Sequence, residues 1–234
     1  CTVLERRGAE GVNEGAPLCL RRALERCAPL AAVVVACAAL CWPPCLNESI
    51  SMPVESKLLD ALRPWLAARR WLVGFSGGLD STVLLHALVR LTQGRRLPPI
   101  SAVHVHHGLQ AVADAWPEHC RQVCEGLGVP LEIVRVQVAH GASLERAARD
   151  ARYAAFAERL GEGDLLLTAQ HRDDQAETLL FRLLRGAGVR GLAAMPAERP
   201  LGQGRLLRPL LAVSRAELQA YADAQGLRWI EDPS

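Results

Sequence analysis

From residue 57 onward, apolar and polar positions follow two alternating patterns. Short apolar runs predict buried strands, namely WLVGF (71–75), ISAVHV (100–105), LEIVRVQV (131–138) and DLLLTA (164–169). Apolar residues at helical spacing predict helices at 57–69, 80–92, 111–127, 143–160, 174–185 and 214–226. Because parallel strands need long crossover connections, this alternation predicts an α/β fold, with a parallel sheet and helices on both of its faces.

Residues 1–51 have a different character from the rest of the chain. The stretch from Leu30 to Trp42 is continuously apolar and ends at two prolines. A run of this length is too short to span a bilayer, so we expect no membrane association. Met52 is the first methionine, and the amphipathic pattern begins just after it. We therefore predict that residues 1–51 are a leader outside the core, either disordered or not native, and that residues 52–234 are the functional domain.

Composition narrows the class of protein. Hydrophobic residues make up 50% of the chain and charged residues 22%, as is typical of a globular protein. The formal net charge of +2 is too small to predict a nucleic-acid partner by itself. Outside the first 51 residues the cysteines are Cys120 and Cys124, which are not spaced as C-x-x-C. We expect them to be buried thiols in a reducing, cytoplasmic compartment.

The sequence SGGLDS follows the first predicted strand and opens the next helix. Glycines at this place allow a turn whose backbone amides point the same way, and the helix adds its positive end. Nearby serine hydroxyls can donate to the same anion. The loop lacks the lysine of a Walker motif and does not match G-x-G-x-x-G. We interpret it as a phosphate cradle built from Ser76, Gly77, Gly78, Leu79, Asp80 and Ser81.

Two other interpretations of this turn remain open. Residues 74–78 read GFSGG, which matches the G-x-S-x-G elbow of serine hydrolases, with Ser76 as the nucleophile. In such hydrolases the catalytic acid and then the catalytic histidine follow the serine along the chain, and the last histidine here is His171. The hydrolase elbow also normally follows several strands rather than the first one. The third interpretation is a tight turn without a ligand. The complete SGGLDS string favours the cradle over both.

Histidines follow the second predicted strand in the string HVHHGL. His104 and His106 share one strand face, and His107 lies opposite. A zinc cluster would need matching carboxylates or thiols nearby, which the sequence lacks. We expect either His106 or His107 to border a nucleotide pocket, while packing in the core is the alternative.

Acidic residues crowd the start of the helix that follows the fourth predicted strand. Asp173, Asp174 and Glu177 stand within one helical turn, just after His171. Carboxylates at a helix start can be simple caps. Three of them at a strand's carboxyl end favour function, and they suit binding of Mg²⁺, removal of a proton from an amine, or binding of a cationic substrate.

The segment from residue 182 to residue 215 is basic and begins with the glycine-rich string RGAGVRGLAAM. Glu198 is its one acid, against seven arginines: Arg182, Arg185, Arg190, Arg199, Arg205, Arg208 and Arg215. This composition predicts a mobile loop and an arginine surface for a phosphodiester backbone. An ordinary solvated face is the alternative.

The motifs also resemble a known family. SGGLDS is similar to the PP-loop of the ATP pyrophosphatase superfamily, whose members cleave ATP between its α and β phosphates to adenylate a substrate. HVHHGL, ERAARDARY, AQHRDDQAET, RGAGVRGLAAM, LLRPLL and WIEDPS resemble the bacterial tRNA(Ile)-lysidine synthases, in that family's order, across residues 71 to 234. The resemblance implies adenylation of the wobble cytidine of isoleucine tRNA at C2, followed by displacement of AMP by L-lysine to form lysidine.

The resemblance also implies roles for individual residues. Ser76 to Ser81 would hold ATP, His106 would border the adenosine, and Asp80 and Asp174 would serve Mg²⁺. The implied catalytic group is Asp173, Asp174, Glu177 and Arg208. The implied tRNA contacts are Arg149, Arg185, Arg190 and Arg205. Family members usually continue after WIEDPS into smaller tRNA-binding domains, so we expect this chain to bind ATP but to modify tRNA weakly. A tRNA thiolase of the same superfamily is the alternative, although the chain lacks its C-x-x-C pairs.

Overall fold

The computed structural model describes residues 53–106, 116–137, 144–186 and 194–231. The leader predicted at residues 1–51 lies outside these residues. Helices and strands alternate along most of the described chain, in the order α1 (Val54–Leu62), a 3₁₀ turn (Arg63–Trp65), β1 (Arg70–Gly74), α2 (Leu79–Thr92), β2 (Ile100–His106), α3 (Trp116–Leu127), β3 (Leu131–Arg135), α4 (Leu144–Ala157), β4 (Asp164–Leu167), α5 (Arg172–Leu184), β5 (Glu198–Leu201), β6 (Gly204–Leu207) and α6 (Arg215–Ala224).

The strands form one sheet of six, in the order β3-β2-β1-β4-β6-β5. Every neighbouring pair is parallel except β5 and β6, which are antiparallel. The chain moves outward from β1 through β2 to β3 and then crosses to β4 on the other side of β1. This reversal of strand order leaves a crevice at the carboxyl ends of β1 and β4, where ligands of such sheets bind.

Side chains that alternate along β1 supply two separate hydrophobic layers. Trp71 and Val73 face the layer formed with α1, α2, α3 and α6, whereas Leu72 faces a second layer that includes Phe156 of α4 and Leu166 of β4. Both layers are almost fully buried. The prediction of a parallel sheet with helices on both faces is therefore confirmed, with one antiparallel edge strand added.

The β5–β6 hairpin corrects the prediction for the basic segment, because residues 198–207 form strands rather than a loop. Leu206 and Leu207 are buried beside β4, and this burial explains why so short a hairpin is stable. The hairpin turns at Gly202, whose φ is +55°, and a Cβ there would lie 2.5 Å from the carbonyl oxygen of Ala157. Arginines between the apolar positions hid this pattern in the sequence.

Several predicted boundaries also differ from the structure. The predicted helix at 57–69 begins earlier, at Val54, and its α-helical part ends at Leu62. The predicted third strand ends at Arg135 rather than at residue 138. Within the described residues, no helix is long and apolar enough to cross a membrane.

Candidate functional site

A cavity of about 590 Å³ opens at the carboxyl ends of β1, β2 and β4. Its wall combines the turn after β1, the end of β2, one face of α4 and the start of α5. The structure brings together many of the predicted site residues in this wall, namely Ser76, Gly78, Asp80, Ser81, His106, Arg149, Asp174 and Glu177. Other predicted site residues do not line the cavity, namely Gly77, Leu79, Asp173, Arg185, Arg205 and Arg208.

Gly77 gives the turn after β1 its shape. Its φ is +87°, a left-handed conformation that side chains disfavour, and a Cβ would lie 3.0 Å from Cys120 Sγ. Its carbonyl oxygen accepts a hydrogen bond from Ile230 N at 2.9 Å, which ties the turn to the end of the described chain. The turn is therefore held from both sides.

Two serines close the turn on the side of the cavity. Their hydroxyl oxygens, Ser76 Oγ and Ser81 Oγ, are 2.9 Å apart, and Ser81 Oγ accepts a hydrogen bond from Ser76 N at 3.3 Å. Gly78 is the N-cap of α2 and provides no side-chain cap. The first amides of α2 thus keep hydrogen-bonding capacity for an anion in the cavity.

Asp80 lies in the first turn of α2 and faces His171. Asp80 Oδ2 is 3.6 Å from His171 Nε2, whereas Asp80 Oδ1 is buried with no hydrogen-bond partner among the described residues. Burial raises the pKa of Asp80 above its usual value of 3.8, with His171 and Arg215 opposing this shift. A buried carboxylate oxygen without a donor suits a cation brought in with a ligand.

His171 connects Asp80 to the acids of α5. Its Nδ1 accepts a hydrogen bond from Asp173 N at 3.2 Å, so in the neutral ring the proton resides on Nε2. Nε2 lies 3.8 Å from Asp174 Oδ2, and His171 is only 3% exposed. The buried ring therefore stands between two carboxylates that face the cavity.

The three predicted acids have different environments. Asp174 Oδ2 accepts a hydrogen bond from His171 N at 2.8 Å and completes a capping box, while Asp174 still lines the cavity. Asp173 Oδ2 accepts a hydrogen bond from Arg215 N at 2.9 Å, and this bond is the main cause that lowers the pKa of Asp173. Glu177 lines the cavity and is exposed. The structure thus brings Asp174 and Glu177 to the cavity, and it joins Asp173 to α6.

The two described histidines of β2 are both buried and both line the cavity. His104 Nδ1 lies 2.9 Å from the carbonyl oxygen of Phe75 and 3.4 Å from Cys120 Sγ, so this ring fastens β2 to the end of β1. Burial lowers the pKa of His104 and keeps it neutral. His106 has the cavity position that was predicted for a nucleotide contact, and His107 lies outside the described residues.

The predicted RNA-contacting arginines are spread over the domain. Arg149 lines the cavity. Arg185 is exposed at the end of α5, with its Cζ 4.1 Å from the ring centroid of Phe181. Arg205 pairs in register with Leu165 near the start of β4, at the edge opposite to the cavity, and bonds Glu198 at 3.1 Å. Arg190 lies outside the described residues.

Arg208, which was predicted to be catalytic, directly follows β6. It is only 4% exposed and does not line the cavity, and its Nη1 donates to the carbonyl oxygen of Pro196 at 2.7 Å. It also lies close to Tyr153, which does line the cavity. Arg208 therefore supports the cavity wall from behind.

Further cavity residues were not predicted individually. They are polar or aromatic groups from α3, α4 and the end of β4: Trp116, Arg152, Tyr153, Thr168 and Gln170. Thr168 and Gln170 immediately follow β4, so the rule that ligands bind at carboxyl ends of strands would have found them. No comparable rule identifies the cavity residues of α4, because packing decides which face of a helix turns toward the sheet.

The alternative hydrolase interpretation requires a histidine beside Ser76. Ser76 Oγ instead contacts Ser81 Oγ and accepts a hydrogen bond from Gly78 N at 3.3 Å. His171, the last histidine of the chain, faces Asp80. Among the described residues, Ser76 has no histidine partner, so the geometry favours the anion cradle over a nucleophile elbow.

Comparisons with known proteins agree with this geometry. The model of the PP-loop domain family matches residues 50–234, and the chain belongs to this family. The fold resembles the structure of the U34-tRNA thiolase NcsA from Methanococcus maripaludis with its [4Fe-4S] cluster, with a TM-score of 0.63 and 19% identity over 77% of this chain and 66% of that chain.

More specific similarity comes from curated relatives. The chain is 73% identical to the tRNA(Ile)-lysidine synthase of Pseudomonas syringae pv. tomato over 181 aligned residues. The aligned region covers 77% of this chain and 41% of that protein. It is 70% identical over 184 residues to the synthase of Pseudomonas aeruginosa, covering 79% of this chain and 42% of that protein. The chain thus spans less than half the length of these relatives. The resemblance stated from the sequence motifs is confirmed.

Proposed function

We propose that this domain is the catalytic part of an ATP-dependent ligase that joins L-lysine to the wobble cytidine of isoleucine tRNA. In the first step, the C2 oxygen of the cytidine attacks the α-phosphorus of ATP, and diphosphate leaves. In the second step, the lysine side-chain amine attacks C2, and AMP leaves with the oxygen. The products are lysidine, AMP and diphosphate. The names of relatives with about 70% identity support this reaction. ATP and tRNA are cytoplasmic substrates, and we place the enzyme in the cytoplasm.

One observation carries the proposal. A single cavity has an anion cradle on one wall, at Ser76, Gly78 and Ser81, and carboxylates on another wall, at Asp174 and Glu177. The cradle suits phosphate, and the carboxylates suit a cationic amine. In the proposed reaction, ATP reacts at the C2 oxygen of the base and lysine then reacts at C2 itself. Such a reaction needs both kinds of wall in the same cavity.

The nucleotide side of the cavity is formed by the turn after β1. Amides at the start of α2 and the hydroxyls of Ser76 and Ser81 would bind the phosphates. Mg²⁺, when bound, neutralises phosphate charge. Asp80 would hold it, because Asp80 Oδ1 has no other described partner. The described residues contain no group of three or more His, Cys, Asp or Glu able to hold a metal ion, so phosphate oxygens would complete the coordination.

The amine side of the cavity is formed by the start of α5. Lysine enters as an ammonium ion and must lose a proton before its nitrogen attacks C2. Asp174 already accepts a hydrogen bond from His171 N, whereas Glu177 is exposed to the solvent. We assign the binding of the ammonium group to both carboxylates, and the acceptance of the proton to Glu177.

Sulfur transfer, the alternative within the same superfamily, receives no support from the described cysteines. Cys120 and Cys124 are buried, and burial raises the pKa of Cys120 to about 12 and that of Cys124 to about 11. Thiols with such pKa values are poor nucleophiles at neutral pH. Lysine transfer remains the reaction that the cavity suits best.

The proposal is tested with two measurements. The full protein that contains this domain is incubated with ATP, labelled lysine and isoleucine tRNA bearing a C wobble base, and we expect label in the tRNA with one AMP released per lysine. In parallel, ATP binding is measured by calorimetry with this chain alone. A folded protein that binds ATP but transfers no lysine would contradict the proposed reaction while leaving the nucleotide site intact.

A further inference from the structure

Tyr153 on α4 is contacted by three arginines that come from three different parts of the chain. Arg149 lies one turn earlier on α4, and its Cζ is 5.3 Å from the ring centroid. Arg199 lies on β5, and its Cζ is 4.9 Å from the same centroid. Arg208 lies close to Tyr153 and interacts with it electrostatically. Such contacts hold each guanidinium in place without neutralising its charge.

The described residues do not neutralise the positive charge of this arginine cluster (Arg149, Arg199 and Arg208). Among the described residues, no carboxylate forms an ion pair with any of the three. Arg208 Nε is buried, and none of the described residues accepts a hydrogen bond from it. Burial is the main cause that lowers the pKa of Arg208, and Arg199 and Arg149 add repulsion. An anion bound at the cluster would supply the missing acceptor and offset the repulsion.

The position of the cluster indicates which anion it binds. Arg149 and Tyr153 line the cavity, and Arg208 follows the carboxyl end of β6. The cradle for nucleotide phosphates is a different wall, formed by the turn after β1. Guanidinium groups match phosphate oxygens in planar geometry, and RNA presents a phosphodiester on each side of the base that must enter the cavity.

We propose that Tyr153 is a positioning residue that holds Arg149, Arg199 and Arg208 as a preformed site for a backbone phosphate of the RNA substrate. The proposal rests on the function proposed above, because it requires an RNA substrate. It gives a role to Arg199, which lies on the hairpin that the sequence pattern did not reveal.

The test measures RNA and ATP binding separately. The full protein is titrated with a fluorescent isoleucine anticodon stem-loop that has C at the wobble position, at several salt concentrations, and with ATP by calorimetry. The variants are Arg199→Ala, Tyr153→Phe and Tyr153→Leu. Arg63→Ala is the matched control, because it also removes one guanidinium, here from an exposed pair with Asp60 at the first residue of the 3₁₀ turn that precedes β1.

We expect Arg199→Ala to weaken RNA binding about tenfold and to reduce the slope of log K against log salt by about one, as for the loss of one phosphate contact. Tyr153→Leu should weaken RNA binding further, because it releases all three arginines. Tyr153→Phe should fall between wild type and Tyr153→Leu, because it keeps the ring contacts. ATP affinity should stay within twofold of wild type in each variant, and Arg63→Ala should bind RNA as wild type does.

Three outcomes would overturn the proposal. The first is wild-type RNA affinity and salt slope in Arg199→Ala and Tyr153→Phe, the two variants that least disturb packing. The second is an equal loss of ATP and RNA affinity, which would assign the cluster to nucleotide phosphates. The third is a wild-type protein that binds ATP but no stem-loop, and this outcome would contradict the proposed function as well. Thermal unfolding of each variant shows whether it is folded.

Discussion

His171 Nε2 lies 3.6 Å from Asp80 Oδ2, so the buried residue just before α5 meets the start of α2 beside the cavity. This contact places an imidazole between the turn after β1 and the acidic start of α5. Because His171 Nδ1 is occupied by Asp173 N, the ring has one fixed orientation and its Nε2 faces both carboxylates. The hydrogen bond from Asp173 N thus fixes how His171 is presented to Asp80 and Asp174.

The first prediction concerns Asp80, whose pKa is raised by burial above 3.8. In the folded protein the ionised form is disfavoured, so folding stability falls as pH rises through the folded pKa. We expect Asp80→Asn to be more thermally stable than wild type at neutral pH, with a difference that vanishes in acid. The same variant should bind ATP with Mg²⁺ at least about tenfold more weakly, since a charged contact is lost. A less stable Asp80→Asn at pH 7 would contradict this account.

The second prediction separates the two glycines of the turn. Gly77→Ala should lose about 1–2 kcal/mol of unfolding free energy, because its φ is +87° and Cys120 Sγ leaves no room for a methyl group. Gly78 has a φ of −78°, and a Cβ there would make ordinary contacts of 3.6 Å or more. Gly78→Ala should thus fold normally and lose ATP affinity. Chemical denaturation and calorimetry distinguish the two effects, and equal stability of both variants would refute the assignment.

The third prediction concerns Glu177 as proton acceptor. Glu177→Gln keeps the shape of the side chain but cannot take a proton, so lysine transfer should slow by about a hundredfold. ATP binding should be unchanged, because Glu177 lies on the other wall. Glu118→Gln, an exposed glutamate of α3 paired with Arg121, is the control and should keep full activity. Transfer at the wild-type rate in Glu177→Gln would exclude this role.

The fourth prediction distinguishes Asp173 from its neighbours. Its pKa is lowered chiefly by the hydrogen bond from Arg215 N, so its contribution to stability is present above 3.8 and is lost as pH falls through the folded pKa. Asp173→Ala should therefore unfold at a lower temperature than wild type at neutral pH, and the difference should shrink below pH 4. Lysine transfer per folded molecule should fall far less than in Glu177→Gln. Unchanged stability at neutral pH would show that the bond to α6 is unimportant.

Particular elements show how far sequence reasoning reaches. The strands at 71–75 and 100–105 and the glycine turn after the first strand were predicted closely, because apolar runs and glycine turns act over a few neighbouring residues. The β5–β6 hairpin was not predicted, since its strands are short and contain arginines. It forms because β4 offers an edge against which Leu206 and Leu207 are buried.

The sequence alone determined the order of the strands and helices other than the β5–β6 hairpin, the glycine turn after β1 and the acidic helix start, because each of these depends on residues close together in the chain. Only the tertiary structure decided that Asp80 faces His171, that Asp173 joins α6 rather than the cavity, and that Arg199 and Arg208 lie beside Tyr153. These contacts join residues far apart along the chain. They follow from strand order and the packing of helices, which local patterns do not specify.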